Sequence, residues 1–295
     1  MIVIAENINV MSKSLGPAMK ERNPEPIVKM AKVCHQNGAD YLDINIGPAR
    51  KNGPELLQWI VKTVQSEVPL PLSLDTTNIE AMVAGLEVHN GKWGKPIINS
   101  ISAMTERMDQ MLPLVGKYNA SMVALLYGKD GIPRDANERG ALAADLLYRA
   151  TEAGIPFEEM YFDPIVVPVS SQQNQVVSCT EFMGMIAEMA PGAKSTCGLS
   201  NVSNGSPEHL RAIINQIYLI MLGQQGLASA IMDGLDKEII AIAKGKRPEL
   251  AELVRRASNG EPIDTSKLDQ RGRDVVKTVK ILRSETLYSD SWLEV

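Results

Sequence analysis

The chain has 295 residues, 44% of them hydrophobic and 22% charged, with a formal net charge of −5. That is enough apolar material for one large α/β barrel or two ordinary domains, and the interspersed charges leave no electropositive stripe of the kind nucleic acid needs. Met1 to Glu6 carries no basic leader and no long apolar run marks a membrane span, while Cys34, Cys179 and Cys197 are too few and too far apart for a disulfide framework or a zinc cluster, so a cytoplasmic protein with reduced thiols is expected.

Apolar runs of strand length fall near 2–7, 39–46, 70–75, 96–100, 120–126, 159–163, 194–199 and 227–232. Helical patterns lie between them, near 24–37, 53–66, 78–89, 104–118, 135–153, 174–190, 207–225 and from 234 onward. Eight βα units in succession predict a single (β/α)8 TIM barrel over 1–295 in preference to a doubly wound sheet, because right-handed crossovers let the sheet close on itself. Gly38, Gly154 and Gly226 each stand between a helix and a strand, where a left-handed residue stops a helix. The stretch from about 245 to 273 holds Gly245, Pro248, Gly260 and Pro262 among many charges. It reads as a helical excursion inserted before a closing helix and tail over 275–295, either solvated or in contact with a partner chain.

In such a barrel every strand ends at the same face, and what stands there is strongly polar. Strand one ends Glu6-Asn7-Ile8-Asn9, strand two Asp43-Ile44-Asn45, strand three Asp75, strand four Asn99-Ser100, strand six Asp163-Pro164, strand seven Ser200-Asn201 and strand eight Asp233. Strand five, ending near Tyr127-Gly128-Lys129, breaks the series. A single buried strand-end acid is most simply a satisfied structural residue; seven polar ends aimed at one face are not explained by packing.

Carboxylate and amide groups without lysine, arginine or glycine-rich loops suit a flat heterocycle with paired N–H donors and ring acceptors, such as a pterin or purine, better than a phosphate. No bound metal is expected, since His35, His89 and His209 all fall in predicted helices. Serine hydrolysis lacks a G-x-S-x-G elbow, and no G-x-G-x-x-G follows strand one for a dinucleotide.

The segments Glu6-Asn7-Ile8-Asn9, Leu42 to Pro48, Leu74 to Asn78, Ile98-Asn99-Ser100, Tyr161 to Pro164 and Gly198 to Ser203, in this order, resemble the pterin-binding (β/α)8 methyltransferases. That family moves a methyl group between 5-methyltetrahydrofolate and the cobalt of a corrinoid (cobalamin) carried by a separate protein. The resemblance implies that Asp75, Asn99 and Asp163 hydrogen-bond the pterin and that Asp43 and Asn45 support the pocket floor. It places Asn201 at N5 as the catalytic residue, with Ser200 and Ser203 as weaker binding candidates and Glu6, Asn9 and Asp233 as relay or support. It further implies a homodimer, a corrinoid-protein partner and tetrahydrofolate as co-substrate, in a setting such as O-demethylation, glycine betaine use or the acetyl-CoA pathway. After Asn99-Ser100 the chain runs Ile101-Ser102-Ala103 where the family carries a more polar Thr-Asn pair. Two alternatives stand beside this reading: a condensation like that of dihydropteroate synthase, for which no basic pyrophosphate site is evident, and a folate-binding protein without catalysis.

Overall fold

A computed structural model describes residues 1–294; Val295, the last residue of the expected tail, lies outside the described residues. In chain order the elements are β1 (Ile2–Asn9), α1 (Leu15–Glu21), α2 (Pro24–Asn37), β2 (Tyr41–Asn45), α3 (Gly53–Gln65), β3 (Leu72–Asp75), α4 (Ile79–Val88), β4 (Ile97–Ser102), α5 (Thr105–Lys117), β5 (Ser121–Leu125) and α6 (Ala136–Glu152). Then follow β6 (Met160–Asp163), α7 (Val169–Met189), β7 (Lys194–Ser195), α8 (Glu208–Gln224), β8 (Ser229–Met232), α9 (Lys237–Ala243), α10 (Pro248–Ser258) and α11 (Gln270–Leu282). All strand pairs are parallel and neighbours in sequence, and β8 returns to β1. The remaining seam, between β7 and β8, is closed by Ile231 N–H donating to the Cys197 carbonyl at 2.8 Å and by the Ser229 hydroxyl on the Ser195 carbonyl at 3.0 Å. The result is the predicted TIM barrel.

Side chains alternate along each strand, so each strand divides its residues between two cores. Outward residues such as Leu42, Leu74, Ile98 and Met122 pack under the helices. Inward residues Ile4, Ile97, Val123, Tyr161 and Ile231 form a second, smaller apolar plug inside the barrel. Two residues further along, the same inward faces carry Glu6, Asn99, Leu125, Asp163 and Asp233. This alternation is what turns a hydrophobic plug into a polar floor at the C-terminal mouth.

Three expectations change in detail. Strand seven, expected over 194–199, is two residues long, because the chain from Leu199 to Ser203 winds into a 3-10 turn and leaves only Gly198 bridged to Ile231. Ser200 and Asn201 therefore ride on that turn and not on a strand end. Helix seven starts at Val169, five residues before the expected 174, and bends at Gln172, whose φ of −139° and ψ of 49° are not helical. Helix α1 was not anticipated; at 7 residues it is too short to show a helical period.

The segment after α9 forms a helical pair on the outer wall. α10 and α11 pack on each other and on α8, and Gln224 at the end of α8 donates to the Ala251 carbonyl at 3.0 Å. α11 begins at Gln270, inside the span expected to be an excursion, so α10 and α11 act as one unit with the tail. Gln173 at the start of α7 donates to the Ile281 and Thr286 carbonyls, both at 2.7 Å, and buried Trp292 donates from its indole to Thr278 at 3.2 Å. Among the described residues no helix is long and apolar enough to cross a membrane.

Candidate active site

Strands β2, β3 and β4 run in register so that Asn45, Asp75 and Asn99 stand side by side at the mouth, with Asp43 opposite Ser73 one inward row below. Asp43 is only 2% exposed, and its Oδ1 accepts from the Ser73 hydroxyl at 2.6 Å and the Asn99 amide at 3.1 Å. The Asn45 carboxamide accepts from Gly47 N–H at 3.0 Å, which turns its amide nitrogen onto Asp75 Oδ2 at 2.5 Å. Asp75 thus has one short hydrogen bond where an ionised carboxylate has room for about four. Burial, and then the charge of Asp43, push its pKa up; Asn45 and the Arg107 guanidinium pull the other way without cancelling them. Burial also raises Asp43, against the hydrogen bonds from Ser73 and Asn99.

Asp75 and Asn99 open into a cavity of about 440 Å³ walled by Ser100, Arg107, Leu125 and Tyr127, large enough for a bicyclic ring and part of its substituent. A groove of about 970 Å³ adjoins it, sharing Met104 and Glu106 and running under the Gly128 to Arg134 loop.

Asp163, 8% exposed at the end of β6, is lifted to about 6 by burial, opposed by a hydrogen bond from Ile165 N–H at 2.8 Å and by Arg139. Ile165 sits at φ 65°, a left-handed conformation that costs a β-branched residue on the order of 1–3 kcal/mol. Fully buried Arg139 holds that loop in place: Nε donates to the Pro164 carbonyl at 2.9 Å, Nη1 to the Ser178 hydroxyl at 2.7 Å and Nη2 to Gln175 Oε1 at 3.0 Å.

On the opposite side of the mouth the Ser200 hydroxyl donates to Glu6 Oε1 at 2.5 Å, and burial, outweighing that bond, lifts Glu6 to about 7. Asp233 accepts from the Asn7 amide at 2.6 Å and from Leu235 N–H at 2.8 Å, so it fixes a loop. Gly234 is obligatory there: a Cβ would lie 2.8 Å from Ala5 Cβ and from Cys34 Sγ. Asn9 closes its own turn by accepting from Met11 N–H at 2.8 Å, a supporting contact. Asn201 is exposed on the 3-10 turn, its oxygen accepting from the Asn204 amide at 3.2 Å. Ser203 is buried, donates to the Ser200 carbonyl at 3.2 Å and accepts from Arg211 Nε at 3.1 Å, which stiffens the turn.

Of the histidines, His35 lies in α2 and His89 follows α4, where its ring meets Gln65 and accepts from Leu72 N–H at 3.3 Å; exposed His209, in the first turn of α8, is the one on the mouth side. Arg107 and Arg139 escaped the sequence reading because neither stands at a strand end. A signal was present: each lies in the first turn of its helix, where the dipole disfavours a cation unless carbonyls beyond the helix receive it.

Residues 5–236 match the model of a family described as pterin binding enzymes. A methylcorrinoid:tetrahydrofolate methyltransferase of Eubacterium limosum is 27% identical over 243 residues, covering 81% of this chain and 88% of that protein. The methionine synthase of Mycobacterium tuberculosis is 26% identical over 242 residues, and the matched part is 20% of that much longer enzyme. Among solved structures, dihydropteroate synthase of Xanthomonas albilineans with 4-aminobenzoic acid superposes with a TM-score of 0.64 at 19% identity, over 84% of this chain and 93% of that one. At that identity the likeness concerns the barrel alone.

Proposed function

Because the chain belongs to the pterin binding enzyme family, we propose that it is a methyltransferase that moves the N5-methyl group between 5-methyltetrahydrofolate and the cobalt of a corrinoid protein. The similarity to the Eubacterium limosum enzyme along most of both chains supports the reaction. The observation that carries the reading is the donor-poor carboxylate of Asp75, set in register between Asn45 and Asn99 at the wall of a ring-sized cavity. A pterin presents the missing N–H donors on its pyrimidine edge. Asp75 and Asp163 would take those donors, Asn99 would bond the ring, and Asp43 and Asn45 would hold the two groups in place.

In the transfer the N5–carbon bond breaks, its electron pair stays on nitrogen, and cobalt(I) supplies the pair for the new cobalt–carbon bond. An amine nitrogen is a poor leaving group as an anion, so N5 must receive a proton or a strong hydrogen bond as charge develops. Asn201 has no proton to give at neutral pH; its amide stabilises N5 electrostatically. Glu6, lifted to about 7 and bonded to Ser200, the residue before Asn201, is the acid best matched to feed that proton at neutral pH.

The test is to mix the protein with 5-methyltetrahydrofolate and reduced cobalamin, or a reduced corrinoid protein, and follow loss of the cobalt(I) absorption band. Methylation of cobalt is expected, and its absence with bound folate would leave a binding protein. Asn201→Ala should slow transfer by roughly 10- to 1,000-fold, the range of a lost electrostatic donor, with a smaller loss of folate affinity.

A further inference from the structure

Arg107 has four hydrogen bonds and every acceptor is a main-chain carbonyl. Nε and Nη2 reach Ser100 O at 3.3 and 3.0 Å, Nη2 reaches Thr76 O at 3.2 Å and Nη1 reaches Thr77 O at 3.0 Å. These acceptors are not scattered. Asp75 and Asn99 are register partners on β3 and β4, and the carbonyls belong to residues one or two positions after them. One planar, multi-donor guanidinium therefore ties together the two chain segments that leave the mouth just beyond Asp75 and Asn99, a task a lysine ammonium cannot perform with fixed geometry. The same side chain walls the cavity into which both residues open.

We propose that Arg107 is a positioning residue for the folate: its clasp on Thr76, Thr77 and Ser100 fixes where Asp75 and Asn99 present their side chains. The inference rests on the folate reading above and assigns Arg107 no part in bond breaking. Carbonyl partners are dipoles, so they leave the guanidinium's net charge free to act on its surroundings. The charged groups facing Asp75 are Asp43 from β2, which raises it, and Arg107 from α5, which lowers it; Glu106, also from α5, walls the same cavity. Remove Arg107 and only the Asn45 amide still opposes burial and Asp43, both of which favour the neutral acid. A neutral Asp75 offers a pterin N–H fewer acceptor sites, so binding should fail at a higher pH than before.

The two parts of the proposal separate in two variants, assayed by calorimetric titration of 5-methyltetrahydrofolate across pH 5.5–9 with near-ultraviolet circular dichroism as the check on folding. Arg107→Met removes clasp and charge. It should weaken binding at pH 7 by about tenfold, the effect of losing about one charge-assisted hydrogen bond, and move the pH below which affinity falls upward. Arg107→Lys keeps the charge and loses the fork, so it should bind more weakly at every pH with the midpoint near that of the unmodified protein. A purely structural arginine would lower stability in both variants without moving the midpoint in either. If the unmodified chain binds folate and folded Arg107→Met binds equally well with the same midpoint, the inference is overturned and the folate reading stands. If the unmodified chain binds no folate, both fall.

Discussion

The barrel interior has acids at both ends, and the two ends treat them oppositely. At the base, Glu159 pairs with Lys95 and accepts from the Ser121 hydroxyl at 2.5 Å, while Lys194 lies over the Tyr161 ring and donates to the Glu158 carbonyl at 2.7 Å. Burial works to raise Glu159, yet the hydrogen bonds from Lys95 and Ser121 outweigh it and hold the carboxyl below its ordinary range. At the mouth, Glu6, Asp43, Asp75 and Asp163 are all raised, because burial there meets amides and hydroxyls and no ion pair. The same residue type in the same barrel is thus completed by the chain at one end and left incomplete at the other. An incomplete buried acid lowers the stability of the ligand-free protein, which marks the mouth as the end kept for a ligand.

The largest test of this contrast is Glu6. Its folded pKa of about 7 exceeds the unfolded value of 4.5. The unfolded chain therefore gives up the proton more readily: the carboxyl's favourable contribution is full below pH 4.5 and is lost as pH rises through 7. Glu6→Gln removes the ionisation and keeps an acceptor for Ser200. It should stabilise the ligand-free protein at pH 8 by up to roughly 3 kcal/mol and leave it nearly unchanged at pH 4.5, read as urea midpoints at the two pH values. Stabilisation equal at both pH values would mean that Glu6 is not an incomplete acid.

Asp75 comes next, and for it the readout is binding. Asp75→Ala should weaken 5-methyltetrahydrofolate by about 2 kcal/mol, roughly 30-fold, with a smaller effect on the transfer step once folate is bound. In the unmodified protein the raised acid must lose its proton to accept the pterin donors, so affinity should fall as pH drops below the raised value. Calorimetry in buffers of different ionisation enthalpy should then show a proton released on binding. Equal losses in affinity and in transfer for the variant would contradict the division of labour between Asp75 and Asn201.

The mouth's half of this contrast was legible from residue types alone. Eight apolar runs alternating with amphipathic stretches gave the barrel, because the strand period and the helix period are both written in side-chain polarity. The inward acids were legible too, since Asp43, Asp75 and Asp163 end their runs. Less accessible was whatever depends on which atom meets which. Ser200-Asn201 looked like a strand end and proved to be a 3-10 turn, because the β7–β8 seam is closed one residue at a time by Cys197 and Gly198. Asn9 and Asp233 stand at the mouth and also hold their own loops, a role that rests on hydrogen-bond partners two residues away. Arg107 and Arg139 were invisible because their partners are carbonyls, and carbonyls carry no letter in a sequence.

Glu159 gives the smallest effect and the opposite sign. Its pKa is held down, so it contributes stability above the unfolded value of 4.5 that is lost as pH falls through the folded value, the mirror image of Glu6. At 19% side-chain exposure the pair with Lys95 is partly screened, so Glu159→Ala should cost only about 1 kcal/mol at pH 7 in urea unfolding, mostly from leaving the buried Ser121 hydroxyl without its acceptor. The part of that cost owed to the Lys95 pair should disappear on acidification, where the Glu6 effect also vanishes but from the other direction. Folate affinity should be unchanged, because nothing at the base lines the cavity into which Asp75 and Asn99 open. A loss of folate affinity comparable to that of Asp75→Ala would mean that the two ends of the barrel are coupled through the apolar plug of Ile4, Ile97, Val123, Tyr161 and Ile231, and that the acids at the mouth owe their raised state to the base as well as to their own burial.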